Sequence, residues 1–220
     1  MHSLKFSQRG ISLIEILIAL ALSIIIILAM LRAFVTTGIV TAEASLGAKV
    51  DSNIMLGLIA TDRILQGIGY GINAPALNTT FKVHRFDNDS TKDIEYLVWK
   101  IPAGTCQSLK VSQNNGLYFY GKDSGYPCTN LDVKSGGTAE PLIFIDNAIN
   151  DSGIANNINK IGAIKIEIQT VTGCSPFGIK NDSVTSLGKY QVLLTANTYA
   201  ASTNNTARTI RNVTCLFNFK

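Results

Sequence analysis

The sequence predicts an α+β protein: a long N-terminal α-helix, its first half able to cross a membrane, packed against a mainly antiparallel β-sheet head. Three observations carry this. Between Arg9 and Arg32 the only formal charge is Glu15, and Ile16 to Leu31 is apolar apart from Ser23. Beyond that run, apolar residues return at three- to four-residue steps as far as Ile68, the period of an amphipathic helix. After Asn73 the period falls to two, with turn residues between short runs, the pattern of half-buried strands.

The 220 residues suffice for one domain of ordinary size and a membrane segment. Counted from Ile11, the apolar run reaches the roughly 20 residues needed to cross a bilayer core as a helix. Lys5 and Arg9 supply two of the four net positive charges, so the chain from Ile11 onward is close to neutral. No run of Lys and Arg alternates with aromatics, and no nucleic-acid partner is expected. Positive charge ahead of the apolar run keeps the N-terminus cytoplasmic and sends the rest across the membrane. Cys106, Cys128, Cys174 and Cys215 all fall on the exported side, where an even count favours disulfides. With no C-x-x-C and His84 the only histidine beyond residue 10, the cysteines do not read as a zinc site, and no metal or cofactor is expected.

The first 31 residues do not end in the A-x-A-like site of a secretory signal: the far end reads Ala29-Met30-Leu31-Arg32-Ala33. A plain signal anchor explains the length of the run and leaves Glu15 unexplained, since a carboxylate in an apolar span is costly and marks a functional position. The stretch Arg9-Gly10-Ile11-Ser12-Leu13-Ile14-Glu15-Ile16-Leu17-Ile18-Ala19-Leu20 resembles the class III signal of type IV pilins and type II secretion pseudopilins. The resemblance implies a type IV pilin-like fold, a leader of residues 1–10 cut between Gly10 and Ile11 by a prepilin peptidase, and N-methylation of Ile11, although Phe or Met is commoner than Ile there. It implies for Glu15 a role in subunit assembly. Cleavage leaves an amine on Ile11 one helical turn from Glu15, so the Glu15 of one subunit can pair with the amine of a neighbour. In a low-dielectric surrounding an unpaired charge is expensive, so such a pair sets register more than it adds net stability.

The helix is expected over residues 11–71, with 11–31 in the membrane or filament core and 32–71 as the amphipathic half in the head. Leu31, Val35, Ile39, Ala42, Leu46, Val50, Ile54, Leu58, Leu65 and Ile68 form its stripe, interrupted at Thr61, and no proline falls between Ile11 and Tyr70. At 1.5 Å per residue this is a rod of roughly 85–90 Å. Gly38, Gly47 and Gly57 soften it, and Gly67-Ile68-Gly69-Tyr70-Gly71 stops it.

Residues 72–220 read as a globular, β-rich head with two disulfides. Ile164, Ile166 and Ile168 alternate with polar residues; Tyr190, Val192 and Leu194 do so less cleanly; Val213, Cys215, Phe217 and Phe219 give the last strand an inward face. Asn115-Gly116 between two apolar runs signals a hairpin, and Leu142 to Ile145 is a short apolar run. Four cysteines allow three pairings. Cys106–Cys128 brackets the hairpin, and Cys174–Cys215 pins the last strand beside the Ile164 strand; these two bridges are favoured.

Within the family the chain is most similar to PilW-type minor pilins, on Arg63…Gly69-Tyr70-Gly71 at the helix end and Arg208…Arg211-Asn212-Val213 before the last strand. Asp62 precedes Arg63 where those proteins place an Asp after the Arg, and Ile68 stands for a small Ala. The implied role is a minor subunit that helps prime pilus assembly near the tip. Its implied partners are other pilins through the N-terminal helix, prepilin peptidase, an inner-membrane assembly platform and membrane lipid. A minor pseudopilin of a type II secretion system shares leader, glutamate and helix and stays open as the alternative. A membrane-anchored enzyme needs a catalytic constellation, and no G-x-S-x-G, phosphate loop or nucleophile–histidine pair occurs. Asp87, Asp89 and Asp93 alternate as in a calcium loop, but Lys92 and Val98 stand where glycine and glutamate belong, so the segment reads as a polar turn. The triplets Asn78-Thr79-Thr80 and Asn212-Val213-Thr214 are assigned no function. Intact-mass measurement of protein made with prepilin peptidase should show loss of residues 1–10, and Gly10→Val should abolish that loss. The shortened mass appearing without the peptidase overturns the leader reading.

Overall fold

The structure, a computed structural model, describes residues 12–85, 94–112, 116–133, 138–144, 164–175, 188–198 and 209–220. Its elements are α1 (Leu13–Gln66), β1 (Phe81–Arg85), β2 (Ile94–Lys100), β3 (Cys106–Ser112), β4 (Gly116–Tyr120), β5 (Ala139–Ile143), β6 (Ile164–Cys174), β7 (Gly188–Asn197) and β8 (Thr209–Cys215). One long N-terminal helix and antiparallel sheets make the chain α+β. It divides into two compact units at Leu46/Gly47, and α1 contributes to both.

In the second unit, the end of α1 buries Val50, Ile54, Gly57, Leu58, Thr61 and Leu65. The buried stripe begins at Val50: Leu31, Val35 and Ile39, which share its period, are exposed. Thr61, the polar interruption, is fully buried and donates its hydroxyl to Gly57 O at 2.7 Å, so it enters the core with its hydrogen bond made. Beyond Gln66 the chain unwinds through single-turn bonds such as Ile68 N to Leu65 O, and Gly69 and Gly71 take φ of 81° and 71°. Those left-handed values are what the glycines supply.

Among the described residues the strands form two meanders, not one sheet: β1-β2-β3-β4-β5 and β6-β7-β8, antiparallel throughout. The β3–β4 hairpin closes at Ser112↔Gly116; Asn115 lies outside the described residues. Leu97, Leu109 and Phe119 lie side by side across β2, β3 and β4 and join the main core with Ile54, Leu58, Ile166 and Leu194. The opposite face of this sheet is also covered. Tyr96, Val98 and Cys106 pack with Tyr126 and Leu131, because the chain after β4 folds back. Cys106 and Tyr126 exchange backbone hydrogen bonds of 2.8 and 2.7 Å, and the Cys106–Cys128 disulfide ties the loop down. Closing this 22-residue separation stabilises the fold by about 3 kcal/mol in the chain-entropy account.

The last strand corrects two expectations. It lies beside β7 and not beside β6, since successive hairpins place β8 on the far edge of β7. Its inward face along β8 also differs: Val213 is exposed, and Ile210, Asn212, Thr214 and Leu216 sit at half-buried or buried positions, while Cys215 of the expected face is buried. The strand ends at Cys215, so Phe219 reaches the core from a terminal turn. There it meets Phe81 and Tyr190 edge-on, at centroid distances of 4.7 and 5.9 Å.

Gly57 serves close packing and not flexibility. A Cβ there would stand 2.2 Å from Ile143 Cγ1 and 2.3 Å from Leu142 O, where β5 crosses the helix. Asn53 Nδ2 donates to Phe144 O (2.6 Å) beside the same crossing. Gly57→Ala should therefore destabilise the head by about 1–3 kcal/mol, despite alanine's better helix propensity. A thermal midpoint equal to or above that of the unmodified protein contradicts this close approach.

Candidate functional site

In the first unit, the candidate is the start of α1. Ser12 precedes the helix, and its carbonyl accepts from Glu15 N at 3.0 Å and Ile16 N at 3.3 Å, forming the first turn. Ser12 and Glu15 have the spacing of a capping box, and a carboxylate in the first turn complements the positive end of the helix dipole. Every large apolar residue from Leu13 to Val40 is exposed, Leu13 to 79% and Ile24 to 49%. Apolar residues occupy all sides of this stretch, which is long and apolar enough to cross a membrane. Its hydroxyls need nothing from outside: Ser23, Thr36 and Thr37 donate to Ala19 O, Arg32 O and Ala33 O, each four residues back, at 2.7–2.9 Å. Such back-bonding lets hydroxyls sit in apolar surroundings. Glu15 is the only ionisable residue between Leu13 and Leu31.

Gly10 and Ile11, the expected cleavage and methylation positions, lie outside the described residues, as do Asp87, Asp89 and Asp93. Among the described residues no group of His, Cys, Asp and Glu is placed to hold a metal.

In the second unit, the expected cysteine positions meet in pairs. Cys106 bonds Cys128, and Cys174 bonds Cys215 with Cα atoms 5.7 Å apart. The second bridge joins the two edges of the three-stranded sheet, passing the end of the central strand. Two features permit this. Between Thr170↔Tyr190 and Cys174↔Gly188, β6 advances four residues while β7 advances two, which carries Cys174 over the end of β7. The residue there is Gly188, where a Cβ would stand 2.9 Å from Cys215 Sγ and 2.8 Å from Leu216 O.

Beside this bridge, the C-terminal segment grips the last turns of α1. Thr214 Oγ1 donates to Asp62 Oδ1, and Gln66 Nε2 donates to Asp62 Oδ2 at 2.8 Å. Asn212 Nδ2 reaches Leu58 O at 3.4 Å, and Asn218 Nδ2 reaches Ile68 O at 2.8 Å and Gln66 O at 3.3 Å. Asn218 thus satisfies carbonyls that a helix end leaves without partners. A cleft of about 300 Å³ lies here, lined by Asp62, Gln66, Gln191, Asn212 and Thr214 among others. The polar residues of the 212–214 triplet were passed over in the sequence; the signal that identifies them is the alternation of Ile210, Asn212, Thr214 and Leu216 on one face of β8. The other triplet forms a turn: Asn78 has φ of 67°, its N–H donates to Phe81 O, and Thr80 Oγ1 accepts from Ala76 N.

Comparison with protein-family models, with curated proteins and with solved structures finds no match to the chain. Gly188→Ala should hinder the Cys174–Cys215 bridge and leave Cys106–Cys128 intact. Non-reducing peptide mapping is expected to find free thiol at Cys174 and Cys215 in a substantial fraction of the variant. Complete bridging at native stability contradicts the proposed clearance.

Proposed function

We propose that this chain is a minor pilin-like structural subunit that helps initiate or prime assembly of a type IV pilus. In this reading the leader is removed after Gly10, and α1 holds the protein in the inner membrane with its head in the periplasm. The same helix then enters the filament, against the helices of other pilins. The observation that carries the reading is the start of α1: every large apolar residue from Leu13 to Val40 is exposed, with Glu15 as the single carboxylate among them, directly after the Arg9-Gly10-Ile11 signal. A surface of that kind is covered by lipid before assembly and by other helices after it. A carboxylate within it is retained against a cost of up to about 2.5–3.5 kcal/mol, depending on depth, which argues for a partner charge such as the amine of a neighbouring Ile11. The head, with two disulfides and no part in this pairing, acts as the exported body that the helix carries.

Glu15→Ala should leave membrane insertion, processing and disulfide formation unchanged and lower recovery of the protein in sheared filaments by tenfold or more. Normal incorporation beside unmodified subunits removes the pairing role. Deletion of the gene should reduce surface pili; loss of protein secretion with pili intact overturns the pilus reading.

A further inference from the structure

We infer that the C-terminal segment from Asn212 to Phe219 is a latch on α1, and that formation of the Cys174–Cys215 disulfide closes it. The segment touches the helix end at successive points. Asn212 reaches Leu58 O, Thr214 holds Asp62, and Asn218 caps Gln66 O and Ile68 O. Phe219 closes the far end, its ring so near Gly69 that a Cβ there would lie 2.9 Å from Phe219 Cε2. These contacts join residues about 150 positions apart, and each needs the segment held in place.

What holds it is limited. Among the described residues β8 is an edge strand, paired with β7 alone. After Cys215 the backbone is tied by Leu216 N to Tyr190 O (2.9 Å) and Lys189 N to Phe219 O (2.7 Å). The disulfide falls between the strand and these last two ties, and it joins the segment to the opposite edge of the sheet. Closing it removes the freedom of a chain separation of 41 residues, so the disulfide and the side-chain contacts on α1 favour one another. The step exchanges two thiols for one disulfide. Two protons and two electrons leave the cysteines, and the electrons reduce the disulfide of an exchanging oxidant through a mixed-disulfide intermediate. Once closed, Cys174 and Cys215 are 6% and 7% exposed, so a reductant reaches the bridge only after β8 lifts. The other bridge has no such connection, because Cys106 and Cys128 pack with Tyr126 and Leu131 on the face of the first sheet away from the main core.

The test is amide hydrogen exchange on the full chain in detergent micelles. In Cys174→Ser/Cys215→Ser, amides from Leu58 to Ile68 should exchange at least tenfold faster, while those of β3 and β4 keep their rates. Cys106→Ser/Cys128→Ser should leave Leu58 to Ile68 protected. Cys106→Ser/Cys128→Ser refolded as its thiol form should show the same fast exchange from Leu58 to Ile68, and oxidised glutathione should restore protection as its two thiols disappear. Unchanged protection of the helix end in the thiol form overturns the latch. Should the serine variant fail to fold, which β3 and β4 amides reveal, Thr214→Val/Asn218→Ala decides. With both disulfides intact it should lose protection over the same helical turns, and retention of that protection overturns the proposal.

Discussion

The constraint on which the rest depends is that α1 carries more apolar surface than the head covers. From Val50 onward one side of the helix meets strands, and Ile54, Leu58 and Leu65 are buried to 2% exposure or less. From Leu13 to Val40 nothing among the described residues covers it. Each Leu or Ile left in water forgoes about 1.5–3 kcal/mol, and this stretch holds more than a dozen such side chains. A bilayer core takes about 20 residues of helix, which accounts for the run up to Arg32. Phe34, Val35, Ile39 and Val40 follow that charge and are also exposed, so the apolar surface continues past the length that a bilayer core alone requires. The task of the head is therefore to hold a helix whose apolar surface extends beyond the part it buries.

The head meets that task with two kinds of contact. The apolar kind is the core shared by α1 and both sheets, in which Gly57 lets β5 cross the helix at backbone distance. The polar kind is the row from β8 and the C-terminal turn onto the last turns of α1. A helix end must dispose of carbonyls that no residue ahead of them can bond. Here the chain unwinds from Gly67 to Gly71 with Ile68 fully buried, and Asn218 supplies the donor to Gln66 O and Ile68 O. An apolar residue at position 218 would pack and would leave those carbonyls unpaired, at about 1–3 kcal/mol for each buried group.

Local periodicity made most of the architecture legible. The helix announces itself by its period and its end by glycines; β6 alternates cleanly because its outer face is solvated, with Lys165 and Glu167 exposed between Ile164, Ile166 and Ile168. Cys106–Cys128 follows from the hairpin it brackets, whereas Cys174–Cys215 is expected from a last strand beside β6 and forms instead past the end of β7. The misread face of β8 has a specific cause. Val213 and Phe217 look like core residues and Asn212 and Thr214 like surface ones, whereas the surface this strand packs on is the polar flank of a helix, Asp62 and Gln66. Hydrophobicity ranks residues by their affinity for an apolar partner and fails where the partner is polar. The glycines were opaque for another reason: Gly57 and Gly188 are defined by what stands opposite them, Ile143 and Cys215, and that is a property of the tertiary fold alone.

The start of α1 shows what remains once local bonds are counted. In an apolar surrounding every polar group needs a partner within reach. The backbone amides behind the first turn bond within the helix, and Ser23, Thr36 and Thr37 bond their own carbonyls. Arg32 and Glu43 lie further along the same helix and can reach toward an interface or water. Glu15 differs from all of these: it stands among Ile14, Ile16, Leu17 and Ile18, which are themselves exposed to more than half their surface, and no side chain of opposite charge lies within the described part of this unit before Arg32. A sequence under pressure only to span a membrane would place an apolar residue there. The charge of Glu15, which this stretch answers with the helix dipole but with no opposite side-chain charge, thus sits at the end where cleavage would create an amine, and that coincidence ties the physical reading of the helix to the reading of its leader.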